Sequence, residues 1–141
     1  MEYEVRHVHL PENLGLLRVG FDEEGRIRQA IFATLPEGLA LSFDDFMALP
    51  VVLGGTEFQQ ALWHGVQSVP AGEVRSYQWL ARQVGRPRAC RAVANALAAN
   101  PVAVRVPCHR IIRSDGGLGG YAWGEKRKAG LLAWEKAEWD K

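Results

Sequence analysis

The segment Val106-Pro107-Cys108-His109-Arg110 sets a sulfur nucleophile beside an imidazole, directly after a proline that stiffens the backbone. The thiolate is the reactive form of cysteine, and a free thiol titrates near pH ~8.5. A neighbouring imidazole and the cations Arg105, Arg110 and Arg113 are expected to keep Cys108 largely ionised at neutral pH. Such a pair can attack an electrophilic carbon, acyl or alkyl. The bland alternative is an inert buried thiol, the commoner fate of a lone cysteine.

The formal net charge of +1 conceals an asymmetry. Up to Gly55 there are four arginines against nine Asp or Glu, a net of −5; from Thr56 onward 13 Lys or Arg face seven acids, a net of +6. Between Val74 and Ser114 stand eight arginines and no carboxylate. That field suits an anion, and nucleic acid is the natural partner. A solvated basic face is the plainer reading, but these arginines interleave with a two-helix pattern and do not form a tail.

At 141 residues and 48% hydrophobic content the chain can build one domain or two small lobes. No apolar run reaches the roughly 20 residues of a spanning helix, and the acidic start Met1-Glu2-Tyr3-Glu4 is unlike a signal peptide, so a soluble cytoplasmic protein is expected. Cys90 and Cys108 then read as separate thiols, Cys90 as buried filler. His7, His9 and His64, with no paired cysteines, argue against a metal site.

The reactive segment needs a scaffold. Tyr3 to Leu10, Leu14 to Phe21 and Ile27 to Leu35 read as strands, with Asp22-Glu23-Glu24-Gly25 as a hairpin turn. Ser42 caps a short helix that Pro50 stops. Thr56-Glu57-Phe58-Gln59 fits a capping box, and Phe58, Leu62, Val66 and Val69 continue at helical spacing, with Trp63 as core.

Ser76 caps a helix from Tyr77 to Val84, Gly85 gives a permissive turn, and Pro87 opens a second helix running to about Ala99. This is a helix-turn-helix pattern. Ala89, Val93, Ala96 and Leu97 share one face, while Arg88, Arg91, Ala92 and Asn95 share the other, a basic face with small side chains that allow close approach. Alanine is also simply the best helix former. Val102 to Val106 reads as a short buried strand, Ser114 to Gly120 as a substrate-enclosing glycine loop without the lysine of a P-loop, and Glu125 to Trp139 as a helix burying Leu131 and Leu132.

Taken in order, Gly55-Thr56-Glu57-Phe58-Gln59, Trp63, Val69-Pro70-Ala71-Gly72-Glu73-Val74, Ser76-Tyr77, Arg91-Ala92-Val93, Asn100-Pro101, Pro107-Cys108-His109-Arg110, Gly119-Gly120-Tyr121 and Leu131-Leu132-Ala133-Trp134-Glu135 resemble the O6-alkylguanine-DNA alkyltransferases. The resemblance covers Gly55 to about Glu135. It implies an α/β protein: a small N-terminal antiparallel sheet lobe, ribonuclease H-like, over residues 1–54, and a mainly helical lobe with a helix-turn-helix over residues 55–141.

The resemblance further implies that Cys108 accepts the alkyl group from a damaged guanine in double-stranded DNA, irreversibly, without cofactor and as a monomer. His109 would take the thiol proton through a water, Glu135 would set the imidazole tautomer, Tyr77 would donate to the base, and Asn100 would brace the turn. Arg91 would enter the base stack, with Ser76, Arg88, Ala92, Asn95 and Arg110 as further DNA contacts. Tyr121, Trp123, Gly119, Gly120, Val106 and Pro107 would frame the pocket. Trp123 is bulky for its place, so a narrowed pocket and poor reaction with O6-benzyl substrates are expected. Three other classes compete. A noncatalytic lesion binder would lack the cysteine; a sequence-reading regulator would carry longer polar side chains in place of alanines; a cysteine hydrolase would have no use for the basic helix pair.

Overall fold

A computed structural model of the chain describes residues 4–139. They form two compact units. One holds the residues up to Gly54 and also Pro101–Arg105; the other holds Gly55–Asn100 and continues from Val106. A single boundary after Gly54 therefore does not describe the chain, because a short later segment returns to the first unit.

In the first unit, β1 (Val5–His9), β2 (Leu16–Phe21) and β3 (Ile27–Ala33) form an antiparallel meander, and β4 (Leu39–Ala40) adds to the free edge of β1 in parallel, giving the order β3-β2-β1-β4. Tyr3, expected in the first strand, lies outside the described residues. Side chains alternate across a strand, so the register Val8↔Leu17 and Val19↔Ala30 puts these four residues on one face, where all are fully buried. The turn before β3 works as read: Gly25 takes φ 77°, and the Asp22 carboxylate accepts from the amides of Glu24 and Arg26.

The helix α1 (Phe43–Ala48) starts at Ser42, whose Oγ accepts from the Asp45 amide at 3.0 Å, and it buries Phe46. The strand expected over Val102 to Val106 does not form. Val102 makes one isolated bridge with Ala30; Val104 then turns to φ 71°, and the Arg105 amide donates to Ala103 O. The segment is buried, as its apolar residues foretold, but its backbone is a turn.

The second unit begins with α2 (Glu57–Gln67). Both halves of its capping box are made: Thr56 Oγ1 accepts from the Gln59 amide at 3.1 Å, and Gln59 Oε1 accepts from the Thr56 amide at 3.0 Å. Leu62, Trp63 and Val66 are buried, and Trp63 Nε1 donates to Ala96 O at 2.9 Å. Two strands without sequence signal follow: β5 (Arg75–Ser76) will pair in parallel with a later two-residue strand. Then α3 (Tyr77–Gln83) is capped by Ser76, whose Oγ accepts from the Trp79 amide at 2.9 Å.

Gly85 takes φ 74° after α3. The next helix, α4 (Cys90–Ala98), starts later than Pro87 suggests. Pro87 and Arg88 lie in a turn closed by the Ala89 amide on Arg86 O at 3.0 Å, so Pro87 is outside the helix. Val93, Ala96 and Leu97 face inward, and Arg91, Ala92 and Asn95 are exposed. Cys90, expected as filler, is exposed at the first position of α4. The chain later forms β6 (Ile111–Ile112) and ends its described part in α5 (Glu125–Trp139), which buries Leu131 and leaves Leu132 half-buried.

Candidate active site

Cys108–Arg110 form a single 3-10 turn that runs directly into β6. Pairing of Arg75 with Ile111 and of Ser76 with Ile112 sets that turn beside the start of α3. Cys108 is 5% exposed and sits in the wall of a cavity of about 260 Å³. The other walls are Tyr77 of α3, then Ala94, Leu97 and Ala98 of α4, then Gly120, Tyr121 and Ala122 of the loop before α5.

The expected ionised thiol is not what this environment supports. Burial pushes Cys108 up to about 12, against a smaller opposing pull from an Asn100 hydrogen bond and the Lys128 charge. The three arginines expected to lower it are occupied elsewhere. The Arg105 guanidinium donates to Phe46 O and Leu49 O within the first unit, Arg113 pairs with Asp115 at 2.7 Å, and Arg110 serves Glu135. Cys108 at rest is a neutral thiol, so attack requires a base that removes its proton as the reaction proceeds.

His109 is suited to that work. It is fully buried, and burial holds its imidazole below the usual histidine range, the Glu135 hydrogen bond and charge opposing this only in part. A neutral imidazole has one donor and one acceptor. His109 Nε2 lies 2.9 Å from Glu135 Oε1, and an ionised carboxylate only accepts, so Nε2 carries the hydrogen and Nδ1 keeps its lone pair. That Nδ1 is buried and has no partner among the described residues. Burial raises Glu135, but hydrogen bonds from His109 and Arg110 outweigh it and bring the carboxyl down to about 2.

Arg110 Nε donates to both Glu135 oxygens, its Nη2 donates to Oε2, and its Nη1 donates to Val69 O at 2.7 Å, leaving the side chain 13% exposed. These bonds make it an internal brace of Glu135. Asn100 is placed as expected near the turn: its Nδ2 donates to Val106 O at 2.9 Å, and its side chain also hydrogen-bonds Cys108.

Tyr77 sends its hydroxyl to Gly120 O at 3.3 Å. Gly119 makes that approach feasible: it takes φ 75°, and a Cβ there would come within 2.8 Å of Tyr77 Oη. The same Gly120 carbonyl accepts from Lys128 Nζ at 3.0 Å, and Ile111 O accepts from that Nζ at 2.6 Å. Lys128 is fully buried, its ammonium 5.6 Å from the centre of the Tyr77 ring, and burial lowers it to about 8. Sequence reasoning missed it. In the run Glu125-Lys126-Arg127-Lys128 it looks like a solvated cation, and the only clue is spacing: 128, 131 and 135 share one helical face.

The remaining residues divide. Tyr121 and Gly120 line the cavity, whereas Val106, Pro107, Gly119 and Trp123 are not among its walls. Trp123 packs edge-on against Tyr121 at 5.3 Å between ring centres, behind that wall residue, and Ala122 takes the lining position. Ser76 Oγ is engaged as the α3 cap. Arg88, Arg91, Ala92 and Asn95 are exposed together along the turn and outer face of α4.

Together these features define an α/β protein with a buried cysteine, imidazole and carboxylate in series behind a small cavity, framed by a helix pair with a basic outer face. Residues 57–137 match the model of the 6-O-methylguanine DNA methyltransferase DNA-binding domain, more than half of the chain, and the chain belongs to that family. It is 42% identical to the methylated-DNA–protein-cysteine methyltransferase of Salmonella typhimurium, over 85% of this chain and 74% of that one. It is 52% identical to the bifunctional transcriptional activator/DNA repair enzyme Ada of Escherichia coli over 63% of this chain, and there it spans only 25% of the relative. The Mycobacterium tuberculosis OGT solved in complex with DNA superimposes with a TM-score of 0.79 at 32% identity, covering 94% of this chain and 93% of that chain.

Proposed function

We propose that this protein repairs double-stranded DNA by moving the alkyl group of an O6-alkylguanine onto Cys108, once per molecule and without a cofactor. In the proposed step the thiol proton leaves Sγ for His109 Nδ1 through a bridging water, Sγ forms a bond to the alkyl carbon, and the carbon–O6 bond breaks with its electron pair passing to the guanine. Tyr77 turns its hydrogen from Gly120 O toward the base as charge develops; the guanine anion then takes one proton from water and the His109 imidazolium returns one to water, so none is gained or lost overall. The product is a thioether with no readily expelled group, which leaves the protein consumed.

The observation that carries this reading is the imidazole whose Nε2 is anchored on Glu135 while its buried Nδ1 has no partner among the described residues, one position along the chain from the cavity-lining thiol. Geometry and neutral charge make His109 a base, and the thiol, held up at about 12, needs one. The cavity of about 260 Å³ lies just under the usual small-ligand range of roughly 300–1,000 Å³, which suits one flat base with a small substituent.

A base stacked in a duplex cannot reach a buried sulfur, so the nucleotide must be extruded, at a cost of a few kcal/mol. Exposed Arg91 on the outer face of α4 is suited to fill the space it leaves, and Ala92 allows the helix to approach the minor groove closely. Among the described residues no helix is long and apolar enough to cross a membrane. The test is incubation with duplex DNA carrying O6-methylguanine, followed by peptide mass analysis. The expected result is one added CH2 on the Cys108 peptide, at one per protein. Tight binding of the lesion without an adduct would instead establish a noncatalytic lesion binder.

A further inference from the structure

Two buried polar atoms in the second unit have no hydrogen-bond partner among the described residues: His109 Nδ1 and the Tyr121 hydroxyl. A buried polar group left without a hydrogen bond is destabilising, so the arrangement is costly unless both are satisfied together. Their chemistry is complementary. Nδ1 presents a lone pair because Nε2 donates to Glu135, and a phenol presents a hydrogen. Their rings are also neighbours. The two rings meet edge to face with centres 6.3 Å apart, Tyr121 shares the cavity wall with Cys108, and the Glu135 charge acts on its phenol.

We propose that Tyr121 is a positioning residue for the proton path: its hydroxyl donates to the water that accepts the Cys108 proton and donates to His109 Nδ1. This rests on the reading of Cys108 as alkyl acceptor and His109 as its base. A water so placed has three protein partners, the number typical of buried waters. The phenol fixes its orientation by occupying one lone pair, leaving the second for the thiol hydrogen while a water hydrogen points at Nδ1. His109 takes the water's hydrogen ahead of the thiol proton, so the oxygen passes through hydroxide character and the Tyr121 hydrogen bond to it strengthens. The phenol itself keeps its hydrogen throughout. Burial above all, then any negative charge that develops on Cys108 and the charge of Glu135, hold Tyr121 far above the usual tyrosine range, so it donates without ionising.

The test is Tyr121→Phe, which removes one oxygen and keeps the ring. Single-turnover methyl transfer from duplex DNA is followed from about pH 6 to 10 alongside DNA affinity. The expected result is about a tenfold slower transfer at neutral pH, the value of one lost hydrogen bond of about 1.4 kcal/mol, with DNA affinity unchanged and the pH profile displaced to higher pH. Placing 3-fluorotyrosine at position 121, which retains the shape and sharpens the donor, should displace the profile the opposite way and serves if the phenylalanine variant folds poorly. A loss of equal size at every pH, a loss confined to DNA affinity, or no change at all would each overturn the proposal. The wild-type arm separates the two readings: absence of an adduct on Cys108 defeats the alkyl-acceptor reading and this one with it, whereas a normal adduct with an indifferent Tyr121→Phe defeats only the latter.

Discussion

His109 Nε2 stands 2.9 Å from Glu135 Oε1 across 26 positions of sequence, and Arg110, the very next residue after His109, grips the same carboxylate. One buried anion thus orients the imidazole and neutralises the guanidinium. Removing it breaks both functions at once.

Glu135→Gln should therefore lower the rate of methyl transfer by about 10²–10⁴-fold, the usual worth of a positioned base. It should also cost about 3–5 kcal/mol of stability, because Arg110 is left as a buried charge without its partner. Rapid-quench single-turnover assays and urea denaturation read the two effects separately. A variant with normal kinetics would show that the tautomer of His109 is set by something else.

The two thiols should differ sharply toward a small electrophile. Cys90 is exposed and Cys108 is buried and held up at about 12. Brief iodoacetamide treatment of the DNA-free protein at pH 7.5 should label the Cys90 peptide well before the Cys108 peptide, as read by mass spectrometry. Faster labelling of Cys108 would mean that its thiolate is stabilised at rest.

Stability should fall at both ends of the pH scale. Glu135 titrates near ~4.3 when unfolded and about 2 when folded, so its contribution is complete above ~4.3 and fades as pH drops toward 2. His109, held below its unfolded value of ~6.5, adds a loss that begins as pH falls beneath that value. Cys108 has the opposite sign: its folded value of about 12 exceeds the unfolded ~8.5, so its share is present below ~8.5 and is lost as pH climbs toward 12. Chemical denaturation of Cys108→Ser should show a flatter alkaline limb and an unchanged acid limb.

Gly119→Ala should disturb Tyr77 more than it disturbs the fold. The new Cβ meets Tyr77 Oη at 2.8 Å, and a φ of 75° is unfavourable for alanine by about 1 kcal/mol or more. Methyl transfer should slow by at least about tenfold while the thermal midpoint drops only a few degrees. Unimpaired transfer would remove Tyr77 from the reacting arrangement.

Arg91→Ala should slow repair of duplex DNA while sparing reaction with a free O6-alkylguanine, since only the duplex needs its stack refilled. Wild-type affinity for duplex should also weaken as salt rises, through release of counterions. Equal losses on duplex and free base would exclude the finger role.

What the sequence determined by itself was local. Caps at Ser42, Thr56 and Ser76 and the Gly25 and Gly85 turns are set by side chains within a few residues, so their geometry could be read directly. The adjacency of Cys108 and His109, the basic outer face of α4 and the ordered family pattern were legible for the same reason. Charge state was not. Arg110 and Lys128 look like solvated cations in the chain, and only folding turns one onto Glu135 and the other onto the Ile111 and Gly120 carbonyls. Burial of Cys108 likewise reverses the expected thiolate, because desolvation depends on neighbours brought from α3, α4 and the loop before α5. The parallel pairing of β5 with β6 and the turn at Val104 escaped for a related reason: two-residue bridges and single left-handed positions carry no periodicity, and long-range contacts alone select them.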